Sequence, residues 1–126
     1  MKISLSAYNI GIFLILLAFL SCESEKQYED SDIVGRWEVY KCERGGKPTQ
    51  TLNGAYFEFT DQNQLFTNFT GEGIMSGYNI YNNVIVQQTG EKIRYKIESM
   101  SDDKMTLSTN IRNVDFVVDL VKTSSL

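Results

Sequence analysis

The chain has 126 residues, 42% of them hydrophobic and 12% aromatic, with one proline and nine glycines, which is material for one domain with its own core. Its formal charge is −4, which speaks against nucleic acid as a partner, because a phosphate backbone is held by an excess of Lys and Arg. It contains no histidine. The commonest metal ligand and the commonest neutral-pH base are therefore missing, and no cofactor is expected.

The N-terminus reads as an export signal over residues 1–21. Lys2 gives a positive start, an apolar stretch runs from Ile10 to Leu20, and Ser21-Cys22 closes it. The apolar run is shorter than the roughly 20 residues a spanning helix needs. A small residue directly before a cysteine at the end of such a run resembles a bacterial lipoprotein signal peptide. In that family the chain is cut before the cysteine, here Cys22, which receives the acyl chains. Phe19 departs from the leucine usual three residues before that cysteine. The resemblance implies a mature protein tied by lipid to the outer membrane of a Gram-negative bacterium, on its periplasmic face or at the cell surface. Several acyl chains, at about 0.8 kcal/mol per buried CH₂, hold a protein firmly to a bilayer.

Residues 22–32 read as a lipidated flexible tether. Glu23 to Asp32 is charged, poor in apolar residues and without strand periodicity. Ten flexible residues would hold a domain roughly 15–20 Å from the lipid. Acidic residues just after the cysteine also resemble the surface-export tethers of some Bacteroidota lipoproteins; an ordinary solvated linker is the other reading. With Cys22 lipidated, Cys42 has no partner for a disulfide. Lys41, Arg44 and Lys47 would favour its thiolate, but no base accompanies it, so Cys42 reads as a small apolar strand residue.

From Gly35 onward the period is two. The first strand runs about Arg36–Cys42, with Trp37 and Val39 on one face, and the breakers Glu43-Arg44-Gly45-Gly46-Lys47-Pro48 end it. The second is about Ala55–Thr60, where Phe57 and Phe59 alternate with Tyr56 and Glu58. Gln64–Phe69 is the third. Ile74–Tyr81 is the fourth, with Ile74, Tyr78 and Ile80 in one row. A tight turn at Asn82-Asn83 leads to the fifth, Val84–Gln88. In the sixth, Ile93, Tyr95 and Ile97 alternate with Arg94, Lys96 and Glu98. Met105, Leu107 and Thr109 mark the seventh. In the last, Phe116, Val118 and Leu120 oppose Asp115 and Asp119. About eight short strands at hairpin spacing, with no convincing helix, make an all-β domain over residues 33–126. The simplest closed solution is an eight-stranded antiparallel up-and-down barrel, which leaves no edge exposed; a two-sheet sandwich is the alternative.

Gly35-x-Trp37 early on the first strand, Tyr78-x-Ile80 in mid-chain and an apolar last strand from Phe116 to Lys122 resemble the lipocalin-like domains of small bacterial lipoproteins. The resemblance implies a barrel sealed at one end by Gly35 and Trp37, with a basic side chain from the last strand stacked on the indole. Lys122 is placed for that stacking, and Arg112 less favourably. A cation over an indole contributes about 0.5–2 kcal/mol. The resemblance also implies a small hydrophobic ligand. A barrel of six-residue strands is only about 15 Å tall once tilted. Phe57, Phe59, Tyr78, Tyr95 and Phe116 therefore either line a ligand site or fill the core.

The alternative function is a protein-contact module, an inhibitor or an accessory subunit of an envelope complex, built on a filled barrel. Tyr40, Tyr56 and Tyr81 would face outward in it, and the Gly45–Pro48 loop would be a contact tip. An enzyme is not expected. Asp115 and Asp119 stand about 13 Å apart along one strand, beyond the ~5–9.5 Å of glycosidase carboxylate pairs. No calcium loop, phosphate loop or nucleophile elbow appears.

Overall fold

The computed structural model of the chain describes residues 26–124. Among the described residues nine strands follow one short helix, α1 (Asp30–Ile33): β1 (Gly35–Arg44), β2 (Lys47–Thr49), β3 (Tyr56–Phe59), β4 (Gln64–Thr67), β5 (Ile74–Tyr81), β6 (Val84–Gln88), β7 (Ile93–Met100), β8 (Lys104–Ile111) and β9 (Val114–Ser124). All pairings are antiparallel. The strands run in the order β1-β3-β4-β5-β6-β7-β8-β9, and β9 pairs back to β1. The result is a closed eight-stranded barrel, and the sandwich alternative falls away. Closure removes the unpaired edges that an open sheet of short strands would present.

The ninth strand is the departure from the expected eight. The segment Glu43 to Pro48 does not simply end the first strand. β1 continues to Arg44, Gly45 and Gly46 turn with φ of 57° and 79°, and Lys47–Thr49 folds back on Cys42–Arg44. Positive φ at both central residues is the two-residue hairpin turn whose twist matches the strands it joins. β2 thus extends one rim of the barrel without entering its wall.

Inward positions follow the alternation until a bulge resets it. Trp37 and Val39 face in, Tyr40 is an extra residue between the pairs Val39–Leu120 and Lys41–Asp119, and Cys42 then faces in. A bulge of this kind bends a strand and increases its twist, as a small barrel requires. Glu98 is a second such residue, between the pairs Ile97–Leu107 and Ser99–Thr106. Cys42 is accordingly a buried wall residue. Burial, followed by the nearby Glu43 and Asp119 carboxylates, raises its thiol pKa. This reverses the lowering that Lys41, Arg44 and Lys47 would give on sequence position alone.

The segment before the barrel also differs from expectation. Residues 26–32 dock on the barrel instead of hanging free as part of a tether. The Asn83 side chain, buried in the β5–β6 turn, donates from Nδ2 to the Lys26 carbonyl at 2.7 Å and accepts the Tyr28 N–H at 2.8 Å. Tyr28 packs against the core. The Asp32 carboxylate accepts the Glu29 N–H at 2.9 Å, and Asn63 Nδ2 donates to the Asp30 carboxylate at 2.8 Å. A short helix of four residues has little stability of its own; the barrel's own turns hold it in place. Cys22 and the signal-like residues 1–21 lie outside the described residues.

Candidate functional site

The two ends of the barrel are built differently. At the closed end α1 brings Ile33 under the barrel, fully buried. The Trp37 indole N–H, also fully buried, donates to the Ile33 carbonyl at 2.9 Å, so the ring's one polar atom is satisfied where water is absent. Gly35 adopts φ of 140°, and a Cβ there would stand 2.6 Å from Lys122 Cε and 2.8 Å from the Ser124 carbonyl oxygen. Only glycine meets both conditions. That approach lets Lys122 lie across the indole, with Nζ 5.5 Å from the ring centroid. Arg112 is at the opposite end of the barrel, in the β8–β9 turn.

Above the indole the interior is solid. Phe57 and Phe59 stack with centroids 6.2 Å apart, and Tyr78 meets Phe59 edge-on at 5.2 Å. Tyr95 meets Phe57 edge-on at 5.3 Å, and Phe69 covers both Phe57 and Tyr95 at 5.4 and 6.2 Å. Phe69 also meets Phe116 at 5.6 Å. Of the five aromatics singled out in the sequence, Phe57, Phe59, Tyr78 and Tyr95 are buried core, and Phe116 is half-buried on the wall of an opening.

That opening is a cavity of about 400 Å³ at the end away from Trp37. Phe69 forms its floor and Phe116 part of its wall. Ile74, Ile93, Ile111, Val114 and Leu52 supply apolar walls, and Arg44, Lys92, Arg112 and Glu91 stand among the lining groups. Its volume lies at the low end of the roughly 300–1,000 Å³ of small-molecule sites, and its apolar walls with a few polar groups match their usual character. Sequence reasoning did not single out Phe69, Ile111, Val114 or Leu52. Phe69 carried the available signal, an aromatic just past β4 in step with the inward Leu65 and Thr67.

Two buried side-chain polar atoms, one on Gln87 and one on Ser76, have no partner among the described residues. Gln87 is fully buried; its Oε1 accepts the Tyr95 hydroxyl at 2.7 Å, while its Nε2 has no partner. Ser76 Oγ, on the neighbouring strand, is likewise unpartnered. A buried amide donor left unmatched costs about 1–3 kcal/mol. Burial also pushes the Tyr95 hydroxyl far above its ordinary pKa. The Tyr78 hydroxyl is pushed up to about 12 by burial and then by the Asp30 carboxylate.

The rim carries one conformational oddity. The β8–β9 turn is Arg112-Asn113 with φ of 52° and 65°, the same two-residue turn that Asn82-Asn83 makes at the closed end with 49° and 61°. Among the described residues Arg112 is the one with positive φ that is neither glycine nor asparagine. A residue other than glycine held there costs of order 1–3 kcal/mol, least for asparagine.

The carboxylates weighed for catalysis are structural partners on the outer wall. Asp115 accepts from Asn110 Nδ2 at 2.7 Å and Asp119 from the Thr106 hydroxyl at 2.6 Å, each across the β8–β9 pair. Among the described residues no group of three or more Cys, Asp or Glu stands where it could hold a metal ion.

In overall shape the chain is similar to bovine odorant binding protein. One structure of that protein, in complex with a selenium-containing odorant, aligns with a TM-score of 0.50 and 14% identity over 82% of this chain and 78% of that one. A second, with its natural ligand, aligns with a TM-score of 0.49 and 14% identity over 80% and 77%. At this identity the first likeness establishes the fold: the chain is a lipocalin-like barrel with one strand added. No protein-family model matches the chain, and no curated protein matches it in sequence.

Proposed function

We propose that this protein is a lipid-anchored envelope carrier that binds a small hydrophobic molecule in the open end of its barrel. The observation that carries the reading is the cavity of about 400 Å³ over a solid aromatic floor. A scaffold needed only for its outer surface has no reason to leave one end of its interior open. The odorant bound in the first odorant binding protein structure supports the same reading.

Anchoring rests on the lipoprotein-like signal ending at Cys22. The reading also gives the domain an orientation. Lys26, at the closed end, is four residues beyond Cys22, at most about 14 Å of chain. The sealed base therefore faces the bilayer of the outer membrane and the cavity opens away from it. Two measurements test the proposal. Labelled palmitate should enter the wild-type protein in Gram-negative cells and not the Cys22→Ser variant. Native mass spectrometry of protein purified under mild conditions should show an added small mass that organic extraction removes. Protein that is always empty, and that binds no hydrophobic probe, refutes the carrier.

A further inference from the structure

We propose that the cavity selects a single-chain amphiphile with an anionic head, whose tail packs against Ile74, Ile93 and Phe116 while the head sits among Arg112, Arg44 and Lys92. The proposal rests on the carrier reading above and adds the chemistry of the ligand.

Three observations carry it. First, three cations and one carboxylate, Glu91, line the cavity of a chain whose net charge is −4. The site therefore has the opposite sign to the molecule. Second, Arg44, Lys92 and Arg112 make no ion pair with any described residue, so their charges are open to a ligand. Arg44 lies over the Phe116 ring, 5.9 Å from its centroid, which keeps its guanidinium at the edge of the apolar wall. Third, the β8–β9 turn keeps an arginine at a positive-φ position where the equivalent turn at the closed end has asparagine. The backbone there works against stability, and what it gains is a guanidinium at the mouth. A carboxylate or sulfonate at the end of one alkyl chain satisfies these groups, because guanidinium forks pair with planar oxyanions. The cavity is too small for a two-chain lipid to enter with both tails.

The test uses three molecules with one tail. The purified protein is loaded with N-phenyl-1-naphthylamine, a neutral fluorescent hydrophobe, and titrated with decanoate, decanol and decyltrimethylammonium. Decanoate should displace the probe at a concentration about tenfold below decanol, or about 1.4 kcal/mol, and the cation should be the weakest. The decanoate advantage should shrink as salt is raised, since these charges are exposed. Arg112→Asn should lower the advantage about threefold while raising the melting temperature by about 2–6 °C, because asparagine suits the turn. Arg112→Asn with Arg44→Gln and Lys92→Gln should bring decanoate level with decanol, and the outer-wall change Lys41→Gln should alter neither. Equal displacement of the probe from the wild type by decanoate and decanol, a preference for the cation, or an advantage that survives the triple change overturns the anionic head and leaves the carrier standing. Failure of the protein to bind the probe or any of the three molecules overturns the carrier, and this inference with it.

Discussion

Gly35 shows how one residue can decide whether the barrel closes. Its φ of 140° and the 2.6 Å approach of Lys122 Cε act at the same atom, so a methyl group there meets a side chain and a backbone carbonyl together. Gly35→Ala is expected to destabilise the fold by about 2 kcal/mol or more, read from denaturant melts, and to move Lys122 off the indole. A change below about 0.5 kcal/mol would mean that the base relaxes freely. Tyr78 gives a pH prediction with a definite sign. Its hydroxyl is neutral in the folded protein up to about 12, whereas in the unfolded chain it ionises near its ordinary value of 10.0. Between those values the unfolded chain holds fewer protons, so stability is complete below about pH 10 and falls as pH rises toward 12. Tyr95 adds to the fall in the same direction. Denaturant midpoints measured from pH 9 to 12 should therefore drop in the wild type, and the drop should be smaller in Tyr78→Phe.

The segment that links the base to the rest of the chain hangs on one asparagine. Asn83 tolerates the left-handed backbone of its turn and spends both ends of its amide on residues 26 and 28. Asn83→Gly keeps the turn and removes only those bonds, with an expected loss of about 1–2 kcal/mol. Hydrogen exchange should show the Tyr28 amide losing protection while the β5 and β6 ladder keeps its own. The sequence makes the strands legible because each wall residue alternates in and out, and eight of the nine strands follow from that alternation. The third strand of the β1-β2-β9 rim was hidden because Gly45-Gly46 reads equally as a breaker and as a hairpin turn. The bulges at Tyr40 and Glu98 were hidden because an extra residue changes no composition; only the partner strand shows which residue is surplus. Docking of residues 26–32 was invisible for a related reason. Its bonds are made by a turn more than fifty positions away, and the segment's own composition is that of a linker.

The whole barrel divides along its axis into a half that holds the fold and a half that remains open. The closed half contains Ile33, Trp37, Phe59 and Tyr78, all buried, and the open half ends in Ile74, Ile93, Ile111 and Phe116, none fully buried. The sequence showed the aromatics and isoleucines alike as inward residues. Which of them fill and which line depends on distance along the axis, and that is set by strand stagger, which no local pattern reports. The division predicts that stability and binding can be changed separately. Trp37→Phe removes the indole N–H from a buried carbonyl and leaves space beneath the floor, so it should cost about 2–4 kcal/mol. It should leave the affinity for N-phenyl-1-naphthylamine within about twofold under conditions where the protein stays folded. Ile93→Trp should do the reverse. The larger ring has an open cavity to enter, so the melt should shift by less than about 1 kcal/mol, while probe binding should fall at least tenfold. Measuring both quantities on both variants separates this arrangement from a uniformly packed barrel. In a uniformly packed barrel, Ile93→Trp would overpack the core and lower stability by about 1–3 kcal/mol, and the probe would have no site to lose.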